Sequence, residues 1–155
     1  MSMGIALPWN ELPLSLIEAN QLTGRIHERG GEKEIRFLVR HYPRILPIWL
    51  DGQIQLARWG STRRDSRQLP PTAWTWQESI DSGKWSGFNA QLVDIPANFG
   101  FDKGVWFRIR QGIRGLYVRD EFNQGTVYMI CEPASRYYRI MTRSDRMPTL
   151  IDEII

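Results

Sequence analysis

The sequence predicts an α+β fold in which a bent, mostly antiparallel, barrel-like β-sheet carries a few short helices. Three observations predict it. Short aromatic or β-branched runs recur through the second half of the chain, separated by Gly, Pro, Asn and Asp. The runs Ile45 to Leu50 and Gln53 to Trp59 flank Asp51-Gly52, a dipeptide that supplies the positive φ of a two-residue hairpin turn. Near the start, Leu14, Ile17 and Leu22 recur at roughly helical spacing. Strands so regularly spaced suit a sheet that bends strongly or closes, with two or three helices packed on it.

In chain order, a short helix is expected between Leu12 and Leu22, with Gly24 available to stop it. Phe37-Leu38-Val39 begins extended structure, and the hairpin follows. In its second arm Ile54, Leu56 and Arg58 share one face while Gln55, Ala57 and Trp59 share the other, so both faces are expected to be covered. Ser61 to Pro71 is polar, basic and ends in Pro70-Pro71, which predicts a mobile loop. Thr72 reads as a helix N-cap, with Trp74, Gln77, Glu78 and Asp81 continuing the helix to Ser82-Gly83. Phe88 to Ile95, Val105 to Ile109, Ile113 to Val118, Thr126 to Glu132 and Tyr137 to Thr142 read as strands. The last of these runs into Ser144-Asp145-Arg146-Met147-Pro148. Pro148 biases Met147 towards extended geometry, so Ser144 to Met147 is expected as a loop at a strand end, where sites concentrate. There is no internal repeat and no low-complexity tract.

A chain of 155 residues suits a single domain, and 42% hydrophobic content with seven Trp, five Tyr and six Phe fills a core. No apolar run is long enough to span a bilayer, and Met1 to Pro8 lacks the features of a signal peptide, so cytoplasmic residence without membrane contact is expected. The lone Cys131 has no partner for a disulfide or a zinc site, and His27 and His41 are the only histidines. No metal or other cofactor is expected. Cys131 lies on an apolar strand and is expected to be buried and inert; His41, beside Tyr42-Pro43, is either a structural or surface residue or a base in the site.

Net charge is only +3, yet seventeen Arg stand against three Lys. Residues 36 to 70 hold seven arginines against Asp51 and Asp65, while residues 1 to 35 are net acidic. Guanidinium groups grip phosphate bidentately and stack on bases, so an Arg-rich, Trp-rich surface suits single-stranded nucleic acid. The same arginines also suit a solvated face with ordinary ion pairs.

Arg58-Trp59-Gly60, Phe88-Asn89-Ala90, Gly115-Leu116-Tyr117 and Ser144-Asp145-Arg146-Met147-Pro148 recur in an order and spacing that resemble the SRAP family, the SOS response-associated peptidases or abasic-site processing proteins. The resemblance covers most of the chain, but each motif is short. The resemblance implies a single SRAP-like domain over residues 1 to 155, shortened at its C-terminus, because family chains usually continue well beyond Arg-Met-Pro. The tail Thr149 to Ile155 either caps the sheet or seeks a partner chain.

In the family an N-terminal Cys, exposed by loss of Met, condenses with the aldehyde of a ring-opened abasic sugar to give a thiazolidine link. Here the matching position is Ser2, whose hydroxyl is a far weaker nucleophile, although an α-amine still forms a reversible Schiff base. The family's Asn-Ala-Arg is matched by Asn89-Ala90-Gln91: Asn89 either hydrogen-bonds the sugar or amine or merely forms a strand-end turn, and Gln91 cannot neutralise a phosphate. Gly-Phe-Tyr-Glu-Trp becomes Gly115-Leu116-Tyr117-Val118-Arg119, so the carboxylate is replaced by Val118, with Asp120 and Glu121 the nearest alternatives. His-Asp-Arg-Met-Pro keeps Arg146 and Met147, with Arg146 at the phosphate-holding position and Asp145 to orient it, but replaces the histidine with Ser144. Trp59-Gly60 matches the Trp-Gly that wedges beside the abasic gap; the alternative is a Trp59 packed in the core.

Without the family's Cys, Glu and His, the resemblance implies binding of single-stranded or abasic DNA with lost or altered cross-linking. The grip is assigned to Arg58, Trp59, Arg63, Arg64, Asn89, Gln91, Arg146 and Met147, and any residual chemistry to Ser2 and Asn89. An abasic-site lyase or autopeptidase using the Ser2 amine is a second expectation, and a protein-interaction module on the same scaffold a third.

Overall fold

Met3, Ile5 and Leu7 alternate with Gly4, Ala6 and Pro8, and that period of two puts the three large side chains on the core face of the first strand. In the computed structural model, which describes residues 3–155, the elements follow in the order β1 (Met3–Pro8), α1 (Leu14–Ala19), β2 (Ile26–Arg29), β3 (Glu32–Leu38), β4 (Ile45–Leu50), β5 (Gln53–Trp59), β6 (Trp74–Trp76), α2 (Gln77–Asp81), β7 (Gln91–Ile95), β8 (Phe99–Asp102), β9 (Val105–Arg108), β10 (Ile113–Arg119), β11 (Gly125–Pro133), α3 (Arg136–Thr142) and β12 (Arg146–Pro148).

One sheet runs β2-β3-β1-β8-β9 and is antiparallel throughout. In the other, the path β10-β7-β4-β5-β11 closes because β10 also pairs with β11, giving a five-stranded barrel whose only parallel contact is β5 with β11. Closure removes the edges that an open sheet would expose. The long strand β11 also carries β6 and β12: β6 pairs with it in parallel, and β12 pairs with it antiparallel. The α+β architecture with a barrel-like sheet is as the strand spacing predicts.

The main core joins the two sheets through Ile5, Leu7, Phe37, Ile48, Trp59 and Tyr138, all fully buried, with Ile17 of α1 packed on them. Each such side chain contributes about 1.5–3 kcal/mol of transfer free energy. A second cluster lies elsewhere on β10 and β11, where Leu116, Val118, Tyr128 and Ile130 pack against Leu69 and Trp85. Polar ends within it are satisfied: Tyr128 Oη donates to Pro70 O at 2.8 Å and Trp85 Nε1 to Thr75 Oγ1 at 2.9 Å.

The hairpin forms as read, with Asp51 and Gly52 both at positive φ (53° and 75°). Other expectations are corrected. Tyr137 to Thr142 is a helix, not a strand: Ser135 Oγ caps it by accepting from Tyr138 N, and Tyr138 and Thr142, four residues apart, are its buried positions. Thr72 caps nothing, since Trp74-Thr75-Trp76 adds to β11 as a strand and the helix starts only at Gln77. Phe37-Leu38-Val39 ends a strand that began at Glu32, and Phe88 to Ala90 lies outside the strand that starts at Gln91. The segment from Ser61 to Pro71 is pinned rather than free: Thr62 and Asp65 bond each other, Ser66 and the Arg67 amide bind Glu121, and Leu69 is buried.

Candidate nucleic-acid interface

Because β6 and β12 both meet Cys131, Trp74, Trp76 and Arg146 converge around that strand residue. The Arg146 guanidinium lies 4.0 Å over the Trp74 ring and 5.9 Å from that of Trp76, which is 41% exposed. A guanidinium stacked through its face keeps its positive charge and its capacity to bond a phosphate in its plane, while an exposed indole offers a face to a base. Burial lowers the proton affinity of Arg146, and neighbouring Cys131 and Asp102 oppose that shift, so the group is a partly desolvated cation.

Beneath the stack is a small cavity lined by Met3, Trp74, Asp102, Cys131, Arg146 and Met147. Its volume, about 10 Å³, is close to the least that holds one water. Asp102 arrives from β8, where it is paired with Met3, and is 1% exposed. Its Oδ2 accepts from Tyr138 Oη at 2.8 Å, whereas Oδ1 is buried and has no hydrogen-bond partner among the described residues. Burial, then the bond to Asp102, push the Tyr138 phenol well above its ordinary value, so it stays a donor. Burial likewise pushes the Cys131 thiol up to about 11, against the pull of Arg146. Cys131 is buried as expected, and its thiol donates to Thr75 O at 3.3 Å.

The residues singled out from the sequence divide between the two ends of β11. Arg58 and Trp59 pair with Thr126 and Val127, and Gln91 reaches the same rung through Tyr117, whereas Arg146 and Met147 pair with Pro133 and Glu132. Six residues of strand, about 20 Å, separate the two groups. At the first end a groove of about 430 Å³ is lined by Tyr42, Arg44, Arg58, Gly60, Thr62 and Asp65 among others. Its arginines are committed to protein acceptors: Arg44 to Val39 O, and Arg58 to Gly60 O, Asp120 and Thr126. Arg63 and Arg64 are exposed beside it.

Trp59 is fully buried and donates its indole N–H to Ala73 O at 3.0 Å, so it is a core residue and no base can stack on it. Gly60 does permit a close backbone approach, but the approaching backbone is Thr72-Ala73 of the same chain. Met147 is also buried, its sulfur accepting from Ser135 N. Asn89 sits exposed at φ 53°, the turn-forming alternative, and Gln91 follows it exposed at the start of β7.

Val118 is held in the second cluster, away from Arg146. Neither suggested replacement carboxylate is free, since Asp120 holds Arg58 and its own turn while Glu121 holds Ser66 and Arg67. Ser144 is buried, its hydroxyl without a hydrogen-bond partner among the described residues, and Asp145 is exposed. His41 is partly exposed, its proton affinity lowered by burial and by Arg25, Arg40 and His27. Ser2 lies outside the described residues.

Sequence reasoning missed Trp76, Asp102 and Tyr138. The Trp-Thr-Trp alternation signals a strand and hence two indoles on one face, but nothing local to Asp102 foretells its meeting with residues 131 and 146. No family model, curated protein or solved structure matches the chain. Among the described residues no group of three or more His, Cys, Asp or Glu is placed to hold a metal ion, and no helix is long and apolar enough to cross a membrane.

Proposed function

We propose that this chain is an SRAP-like protein that binds single-stranded DNA, with abasic sites as its preferred target, and does not form the family's covalent link. The observation that carries the proposal is the Arg146 guanidinium stacked on Trp74 beside the exposed Trp76, at the corner where β1 begins. Met3 lines one cavity with Arg146, Met147 and Pro148, the residues at the position to which the resemblance assigns a phosphate. The reactive groups, by contrast, are replaced at Ser2, Val118 and Ser144.

The test is incubation with single-stranded DNA carrying one abasic site, with and without borohydride, against an undamaged strand. Salt-sensitive binding without covalent product is expected, with Trp76→Ala and Arg146→Gln each weakening it by about 5- to 100-fold, the range of one lost stacking partner. Absence of binding by the native protein sinks the proposal.

One observation favours a second reading, an abasic-site lyase acting through the Ser2 amine. The unpartnered Oδ1 of Asp102, in the cavity at the start of β1, is the kind of buried carboxylate that proton transfer during imine chemistry requires. Covalent trapping only with borohydride, abolished by Asp102→Asn, would select this reading.

A further inference from the structure

The outward face of the five-stranded sheet is built unlike an ordinary solvated surface. On its central strand, β1, this face carries the small residues Gly4 and Ala6, which lie between Leu38 and Arg36 of β3 and Phe101 and Phe99 of β8. Side chains from β2 and β3 therefore reach across β1 to rings on β8 and β9. The Arg29 guanidinium lies 4.2 Å from the Phe99 ring and 4.6 Å from that of Trp106, and Arg36 lies 5.1 Å from Trp106. Phe101 packs on Trp106 at 4.7 Å, and Arg108 stacks on Phe99 at 5.4 Å.

Charge on this face is unbalanced. Glu34 is buried and holds both Arg29, bidentately, and Arg36, so one carboxylate serves two cations. Arg108 is exposed and has no carboxylate partner among the described residues. Beside it runs a groove of about 420 Å³, where Phe99 meets Arg29, Lys33 and Arg108 against Glu32 and Glu34, a size within the range of ligand sites. Half-buried rings set among excess guanidinium groups match the two needs of single-stranded nucleic acid, a face for each base and a cation for each phosphate. Protein interfaces are also rich in aromatic residues and Arg, so the choice of nucleic acid rests on the cation beside each ring, and an acidic protein is the alternative the test must separate.

We infer that this sheet face is a stacking platform for single-stranded nucleic acid, with Trp106 and Phe99 taking bases and Arg108 taking a phosphate. The inference rests on the single-stranded DNA reading above for the identity of its ligand. It goes beyond that reading by adding a second face: Asp102 at the cavity and Phe101 and Phe99 on the platform share β8 but point to opposite sides of it. Bases displace the guanidinium groups from the rings, and the freed cations move to the backbone.

The test measures binding of oligothymidylates about 5 and about 15 nucleotides long, and of poly-glutamate, by fluorescence anisotropy for the native protein, Trp106→Ala, Arg108→Ala and Trp76→Ala. Thermal unfolding confirms that each variant is folded; Arg108→Ala removes only an exposed side chain. The expected result is tighter binding of the longer oligonucleotide by the native protein, weakened about 5- to 100-fold in both Trp106→Ala and Arg108→Ala. Unchanged affinity in those two variants alongside a loss in Trp76→Ala overturns the platform and leaves the proposed function standing. A loss in the platform variants with none in Trp76→Ala keeps the platform and removes the Arg146 site. No binding of either oligonucleotide by the native protein overturns both, and binding of poly-glutamate alone assigns the face to an acidic protein.

Discussion

The Arg58 guanidinium donates to Asp120 Oδ2 at 3.1 Å and to Thr126 Oγ1 at 2.8 Å, tying β5 to the turn between β10 and β11 across the barrel. Only 1% of the Asp120 side chain is exposed, so removing its partner leaves a buried carboxylate with only the turn amides of Phe122 and Gln124 to hold it. Arg58→Ala is therefore expected to destabilise the fold by about 3 kcal/mol, the lower end for a broken buried pair. Chemical denaturation checks this; an unchanged midpoint together with a large loss of DNA affinity would return Arg58 to the binding surface.

Gly60 follows Trp59 at φ +69°, and a Cβ there would meet the Thr72 carbonyl and the Ala73 backbone. Gly60→Ala is expected to cost about 2–5 kcal/mol, from left-handed strain plus an overlap that backbone atoms cannot relieve. Gly83, at φ +83° with open space around it, is the control, and Gly83→Ala is expected to cost only about 1 kcal/mol. Equal shifts of the unfolding midpoint in the two variants would show that the close approach at Gly60 contributes nothing.

Glu34 links the two arginines that reach over the sheet. Burial raises its carboxyl, but the hydrogen bonds and charges of Arg29 and Arg36 outweigh burial and hold it below its ordinary value of 4.5. A folded-state value below the unfolded one contributes stability that is complete above about pH 5 and is lost as pH falls through 4.5 towards the folded value. Urea unfolding followed from pH 7 to pH 3 should show the native protein losing more stability over that window than Glu34→Gln. Parallel curves would mean that the clamp has no net linkage to protons.

What the sequence made legible, and what it hid, follows from the range of each interaction. The Asp51-Gly52 hairpin was readable because turn chemistry is local and both residues take the positive φ their types allow. Tyr137 to Thr142 misled because bulky residues in succession fit either period, although Ser135 stood as a visible N-cap three residues before Tyr138. Alternation showed that Ala57 and Trp59 share a face, but which face looks into a barrel depends on the closing partner, β11, some seventy residues away. The cavity residues Asp102, Cys131 and Arg146 were beyond reach for the same reason, since only the pairings of β8 with β1 and of β11 with β12 bring them together.

Cys131 tests whether that cavity is closed. The thiol is 3% exposed, and burial raises it to about 11 even though a guanidinium stands beside it, which would ordinarily favour the thiolate. At pH 8 an alkylating reagent is expected to leave the folded protein unlabelled and to label it completely in urea, with a native-state rate that follows global unfolding. The same shift predicts that stability falls as pH rises from 9 towards 11, because the unfolded thiol gives up its proton over that range and the folded one does not. Cys131→Ala should make the limb shallower between pH 9 and 10, while Tyr128 and Tyr138, whose phenols burial also raises from 10, continue the fall above it. Rapid labelling of the folded protein, by contrast, would show that the Trp74 and Arg146 stack opens readily, and that the corner at the start of β1 admits a ligand larger than a single water.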